Sequence, residues 1–224
     1  MSGDTHRAPA NRMFTSIPGR AWPNVLMSGD DPVVTLRPIR RSDAGAWRSA
    51  RQKNLHWLSP WDATVPPGGE GRPTTFRALV KRLSRAARQG TTYPFVIEVD
   101  GRFAGQVSVN NIVRGSAQFA SIGYWIDQAY AGRGVVPRAV AMVIDHCFLT
   151  AGLHRVEICI RPENTNSLRV VEKLGVREVG YAPRFLHIDG EWRDHRIFAI
   201  TKEEAPRGVL ARLIESGGDV SAAE

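Results

Sequence analysis

Two hydrophobic rhythms alternate along this chain. Residues 33–39, VVTLRPI, alternate apolar and polar positions, the period of a half-buried strand. RSDAGAWRSAR follows, with Ser42 or Asp43 placed to cap a helix. Phe76, Leu79, Val80 and Leu83 recur at helical spacing and predict a helix from about Thr75 to Gln89, closed by Gly90. Strands are predicted at 93–99, 105–113 and 119–126, the first two joined by Asp100-Gly101, a hairpin signal. Gly123, inside the third strand, predicts a bulge or a close backbone approach. From Val136 the positions Val140, Val143, Ile144, Cys147 and Phe148 return to helical spacing, ending by Gly152. Pro137 falls in the first turn of that helix, where a missing N–H costs nothing.

RVEICI (155–160) reads as a buried strand. In NTNSLRVVEKLG, Asn166 is the candidate N-cap, Leu168, Val171 and Leu174 form one stripe, and Gly175 is the C-cap. RFLHIDGEWRDHRIFAI reads as strand, Asp189-Gly190 turn and strand, and APRGVLARLIES as a short helix. Between the first two helices, NLHWLSPWDATVPPGGEGRP is expected to be a long loop whose large aromatics are available for ligand contacts. Residues 1–31 show no periodicity. They are expected to be a mostly loose extension, followed by one domain at 32–202 and a tail at 203–224. Irregular alternation of strands and helices around a mostly antiparallel sheet is an α/β plan of the mixed α+β kind.

Composition narrows the picture little. Of the 224 residues, 42% are hydrophobic, enough for a core. Thirty basic and 22 acidic residues leave a net charge of +8, which suits polyanionic partners such as rRNA or a phosphorylated cofactor. Cys147 and Cys159 lie in apolar segments without partners at metal-ligand spacing, and His154, His187 and His195 lack such partners too, so no metal is expected. No apolar run reaches the length of a membrane span, and no secretory signal core is present, which points to the cytoplasm.

The candidate chemistry lies at two strand-to-helix junctions. AYAGRGVVPRAV (129–140) puts Gly132 and Gly134 around Arg133 where a helix begins. Helix N-termini expose unpaired N–H groups and a positive dipole end, and Arg grips phosphate oxygens through two parallel bonds. The loop lacks the Lys-Ser/Thr pair of a Walker motif and the third glycine of a dinucleotide fingerprint. About thirty residues on, RPENTNS ends a strand and enters the next helix.

This order, together with NLHWLSPW (54–61), NIVRGS (111–116), GYWIDQAYAGRG (123–134), NTNS (164–167) and IDGEWRDH (188–195), resembles the GNAT N-acetyltransferases, and within them the RimJ/RimL-type ribosomal-protein enzymes. The resemblance spans roughly residues 33–202. It implies a twisted sheet splayed between the 119–126 and 155–160 strands, with acetyl-CoA in the splay. It implies that pantetheine pairs along Tyr124, Trp125 and Ile126, with Asn164 touching its arm. Pyrophosphate would rest on the N–H groups of Arg133, Gly134, Val135 and Val136, beside Gly132 and Arg138. Ala129 stands where many relatives carry Gln or Arg, which leaves the anion to the arginines and the backbone.

For catalysis, the resemblance makes the Ile126 amide the candidate oxyanion donor and Ser167 the candidate proton donor to the leaving thiolate. The tyrosine common in the superfamily is replaced here by Val171, and the glutamate of some relatives by Ser121. Asp194 and Asp62 are acidic candidates near the acceptor face, while Glu98 is expected to face solvent. Trp57, Pro60, Trp61, Tyr124 and Trp192 are the candidate acceptor-binding residues. An α-amine titrates near 8 and lysine near 10.4, so keeping the amine neutral at pH 7 is easier for an N-terminus by about 3 kcal/mol. A site without a strong base therefore suits a protein N-terminus, with a ribosomal protein as expected acceptor, ribosome association in prospect, and no specific DNA or membrane contact. Alternative readings are a polyamine or antibiotic acetyltransferase, and a CoA-binding ribosome-assembly factor with little catalysis.

Overall fold

The computed structural model describes residues 21–29, 32–69, 71 and 73–218. Their strands are β1 (Leu26–Met27), β2 (Val34–Pro38), β3 (Tyr93–Val99), β4 (Arg102–Val113), β5 (Phe119–Ile126), β6 (Arg155–Ile160), β7 (Arg177–Ile188) and β8 (Glu191–Thr201). They form one sheet in the order β1-β2-β3-β4-β5-β6-β8-β7. Every pairing is antiparallel except β5 with β6, which run parallel across the crossover helix α4 (Val135–Leu149). The mixed, mostly antiparallel plan expected from the sequence is the fold found.

The two faces of the sheet are covered by different layers. Val107, Val109, Ile122 and Ile126 join α4, α5 (Thr165–Lys173) and α6 (Val209–Gly218) in the larger core cluster. Ile39, Val80 and Val96, with Phe76, Leu83 and Phe103, make a smaller cluster under α3 (Phe76–Arg88) on the opposite face. That face also receives α1 (Ala44–Lys53), through a 2.7 Å hydrogen bond from the Trp47 indole to Gln106. α4 is apolar nearly all round, which fits a helix buried between sheet and outer helices.

Capping chemistry explains the helix ends. Thr75 accepts from the Ala78 amide, and α3 closes on Gly90 at φ +71°, with Thr91 bonded back to Ala86 and Gly90 to Ala87. These are the paired bonds of a left-handed glycine C-terminus. α5 closes the same way on Gly175 at φ +62°.

Several expectations need correction. The N-cap of α5 is Asn164, whose side chain accepts from the Ser167 amide at 3.1 Å, and Asn166 lies inside the helix. Asp43 makes no side-chain cap for α1; it accepts from the Arg40 amide and pairs with Arg37. The expected aromatic loop begins as a short helix, α2 (Leu55–Leu58), and a 3-10 turn at Ser59–Trp61. Gly123 sits in regular register opposite Ser108, and an added Cβ would meet only the Asn110 amide nitrogen at 3.8 Å. The close approach falls one strand away, at Gly105, where a Cβ would lie 2.2 Å from the Trp125 carbonyl oxygen. Glu98 is half-buried in an ion pair with Arg37 rather than turned to solvent. Residues 21–29 are packed: Leu26 is buried, Trp22 stacks on Tyr93, and the Ala21 carbonyl accepts from the His146 ring at 2.9 Å. The rest of the expected extension, residues 1–20, lies outside the described residues. In the expected tail, α6 docks on α4, where the Asp145 carboxylate accepts from the Val209 and Leu210 amides.

Candidate active site

β5 and β6 pair only at Phe119, Ala120 and Ser121 with Arg155, Val156 and Glu157. Beyond these residues the strands part, and a wedge opens between Ile122–Ile126 and Ile158–Ile160. The register on the other side of β5 fixes which groups face the wedge. Asp127 donates to the Ala104 carbonyl at 2.7 Å, and Gly105 stands opposite Ile126. Since bonded and non-bonded pairs alternate along an antiparallel ladder, the N–H groups of Ile122, Tyr124 and Ile126 point away from β4; the Ser121–Glu157 pairing with β6 takes up that of Ile122, and those of Tyr124 and Ile126 face the wedge. A strand with an unpaired edge accepts another extended chain.

The wedge continues into a cleft of about 460 Å³. One end is the start of α4. Gly132 and Gly134 adopt φ +76° and +72°, conformations that favour glycine, and Gly134 is the N-cap. The first intrahelical bond there runs from Arg138 to Gly134, so the N–H groups of Gly134, Val135 and Val136 have no helical partner, and Pro137 has none to offer. All of these residues line the cleft except Arg138. The arrangement is an anion site made from backbone and helix dipole. Arg133 lies outside the lining, with its guanidinium 5.7 Å from the Tyr130 ring centre.

In the middle of the cleft, Tyr124 and Ser167 come together. The phenolic oxygen of Tyr124 is buried and meets no hydrogen-bond partner among the described residues. Burial pushes this phenol up to about 12, with the Ser167 side chain pulling the other way. Ser167 lies in the first turn of α5, which the Asn164 cap holds against the cleft. A buried hydroxyl without a partner loses the free energy of a hydrogen bond unless a ligand supplies one. The wedge-facing amides, the orphan amides of α4 and this phenol are therefore a set of unmet donors suited to an extended, phosphorylated ligand. The residues fit coenzyme A.

The far end is lined by Trp57, Leu58, Trp61 and Asp62, together with Gln106, Ser108, Asn110, Gly123 and Trp125 from the sheet. The Gln106 side-chain oxygen accepts from both Trp47 and Trp125 indoles, at 2.7 and 3.2 Å. The Arg51 guanidinium sits 5.3 Å from the Trp125 ring centre and pairs with Asp62. Residues 62–64 are stitched to the β7–β8 hairpin: Thr64 donates to the His187 carbonyl at 2.8 Å, Asp189 to the Asp62 carbonyl at 3.0 Å, and Gly190 to the Thr64 hydroxyl at 3.0 Å. These bonds tie the wall of the cleft to the hairpin.

Of the sequence candidates, Tyr124, Trp125, Ile126, Gly132, Gly134, Val135, Val136, Asn164, Ser167, Trp57 and Trp61 line one cleft, and Asp62 joins them. Pro60, Trp192 and Asp194 do not. The Pro60 carbonyl accepts from Arg161. Trp192 is 54% exposed on the hairpin and packs edge-on with His187. Asp194 accepts from the Tyr181 hydroxyl at 2.6 Å and the Arg184 amide at 2.7 Å, and these bonds hold its carboxyl below the usual range. Its bonds are those of a hairpin brace.

Sequence reasoning missed Arg169 and Lys173, which bring two cations of α5 to the cleft, and the polar row Gln106, Ser108 and Asn110. The spacing of Arg169 and Lys173, i and i+4 in a helix entered from the polar junction, was the available signal. Among the described residues, no group of three or more His, Cys, Asp or Glu side chains is placed to hold a metal. No described helix is long and apolar enough to cross a membrane.

Comparison with known proteins agrees with this geometry. Residues 34–177 match the family model described as an acetyltransferase (GNAT) domain. The ribosomal protein uS5-alanine N-acetyltransferase of Escherichia coli (strain K12) is 32% identical over 183 residues, covering 80% of this chain and 92% of that protein. The spermidine N(1)-acetyltransferase of the same organism is 30% identical over 163 residues, covering 72% and 82%. Among solved structures, Mycobacterium smegmatis RimJ in complex with CoA-disulfide matches with a TM-score of 0.80 at 39% identity, covering 88% of this chain and 96% of that one.

Proposed function

This chain belongs to the GNAT acetyltransferase family, and from that premise we propose that it acetylates the N-terminal α-amine of a protein, with a ribosomal protein as acceptor. It is an N-acetyltransferase, and its cosubstrate is acetyl-CoA. The observation that carries the finer reading is the cleft itself. An unpaired strand edge, a phosphate-binding helix start and two hydroxyls meet in it, and an aromatic wall pinned in place bounds its far end.

In this reading, pantetheine pairs with the wedge-facing groups of Tyr124 and Ile126. The phosphates rest on the amides of Gly134, Val135 and Val136, with Arg169 and Lys173 adding charge. Arg133 and Arg138 complete the phosphate site from outside the lining. The amine attacks the thioester carbonyl, and the Ile126 amide donates to the oxyanion. Ser167 and Tyr124 donate to the leaving sulfur. A phenol pushed up to about 12 stays protonated at neutral pH, so Tyr124 serves as a donor and not as a base.

Among the described residues Asp62 is the only carboxylate in the lining, and it is engaged by Arg51. The incoming amine must then be largely neutral by itself, which favours an α-amine over a lysine. Trp57 and Trp61 would flank the first residues of the acceptor. In this reading the wall, stitched to the hairpin, stays in place while the acceptor chain runs outward.

The relative acting on spermidine gives the competing reading its support, acetylation of a polyamine. Mass spectrometry of reactions with acetyl-CoA separates the two. Peptides beginning with Ala or Ser are expected to gain one acetyl group at the α-amine. Ser167→Ala is expected to lower turnover roughly tenfold or more while CoA affinity is retained. Acetylation of spermidine with every peptide left unmodified would overturn the proposal.

A further inference from the structure

The side of α3 turned away from the core carries Arg77, Lys81, Arg85 and Arg88, with Arg82 beside them, all exposed. At a spacing of four, four and three residues, the first four lie in one line on the helix. Among the described residues none of the five belongs to a salt bridge, and α3 itself contains no acidic residue. Arg40 and Arg41, also exposed, lie at the turn that packs against α3 and extend the same ridge. Like charges one helical turn apart repel, so helix stability does not account for this row.

We propose that this ridge is a docking surface for the phosphodiester backbone of duplex RNA. Its line runs about 16 Å along the helix, the axial length holding on the order of five phosphates of one duplex strand. Lys and Arg alone suffice for such contacts, because backbone binding is electrostatic and carries no sequence information. Two other anionic partners fit less well. A membrane-binding helix needs an apolar face to insert, and here Phe76, Val80 and Leu83 are spent on the core beneath α3. A protein interface needs a buried apolar or aromatic centre, and no large hydrophobic residue of α3 is exposed.

The ridge shares a side of the sheet with the acceptor end of the cleft. Val96, under α3, stands opposite Gln106, which lines the cleft and takes the Trp47 bond from α1. RNA held there would lie on the side from which an acceptor enters. The choice of RNA over DNA rests on the ribosomal reading above.

Binding is measured by fluorescence anisotropy with a labelled 20-base-pair RNA duplex, the same duplex in DNA, and vesicles containing phosphatidylserine, across a salt series. The wild type is expected to bind the RNA, and Lys81→Glu with Arg85→Glu to weaken it at least tenfold. The slope of log affinity against log salt is expected to shrink by about 2. The milder Lys81→Gln with Arg85→Gln is expected to fall in between. Acetylation of a short free peptide should not change in either variant, because α3 contributes nothing to the cleft lining. A protein that acetylates no peptide yet loses RNA binding on charge reversal would defeat the functional reading and leave the ridge intact. Equal RNA binding by wild type and the reversed variant, no RNA binding at low salt, or tighter binding to DNA or vesicles would overturn the proposal.

Discussion

His146 shows how one side chain can tie pH to stability. It is buried against Tyr93 and Phe95, one ring nitrogen donates to the Ala21 carbonyl, and the other meets no partner among the described residues. Burial pushes its titration down to about 4, from about 6.5 in an unfolded chain. Between these values the unfolded state holds the extra proton, so stability is lost as pH falls from 6.5 toward 4, by about 3 kcal/mol. His195, also buried and also shifted down, adds in the same direction. Urea denaturation at pH 6.5 and 5 is expected to show the midpoint falling on acidification, and the fall should shrink in His146→Gln. Neither the contact nor the shift was legible in the sequence. His146 occupies a helical position whose partner lies 125 residues earlier, in a segment without periodicity.

At the scale of elements, the sequence was readable wherever a local rule decides. Hydrophobic spacing marks α3 and α4, Asp100-Gly101 and Asp189-Gly190 mark two hairpins, and Gly90 and Gly175 mark two helix ends, all as found. It was ambiguous where two residues satisfy the same rule. Asn164 and Asn166 are both good caps, and the choice falls to the one whose oxygen reaches the Ser167 amide. It was misread where burial lets a polar stretch coil: Leu58 anchors α2 within a run that looks like loop. The α5 cap is structural, and it also sets where Ser167 stands. Asn164→Ala is expected to cost about 1 kcal/mol and to lower turnover, while Asn164→Asp keeps most of both. Thermal melting alongside peptide kinetics checks this.

At the scale of the molecule, the cleft exists because the sheet is nearly two sheets. β1 to β5 form one part and β6, β8 and β7 the other, joined at three residue pairs and bridged by α4. The resemblance of a few motifs conveyed this splay, since no periodicity records where two paired strands cease to touch. Most of the residues those motifs named for the cofactor line the one cleft. At the hairpin, Trp192 and Asp194 lie outside that lining, on β8, where Asp194 accepts from Tyr181 and Trp192 packs on His187. The basic ridge was visible only as net charge until α3 gave it a direction.

From Gly123 to Ile126, β5 has one bonded edge and one bare edge. Its successive amides should therefore keep different time in heavy water. Gly123 and Trp125, locked to β4, are expected to exchange slowly, and Tyr124 and Ile126 quickly, although all four belong to one strand of one sheet. Adding coenzyme A should slow Tyr124 and Ile126 and erase the alternation there. An isotope pattern of period two, read residue by residue by NMR, would then report occupancy without any acceptor or turnover. Uniform exchange along β5 before and after coenzyme A would show that the edge is not bare.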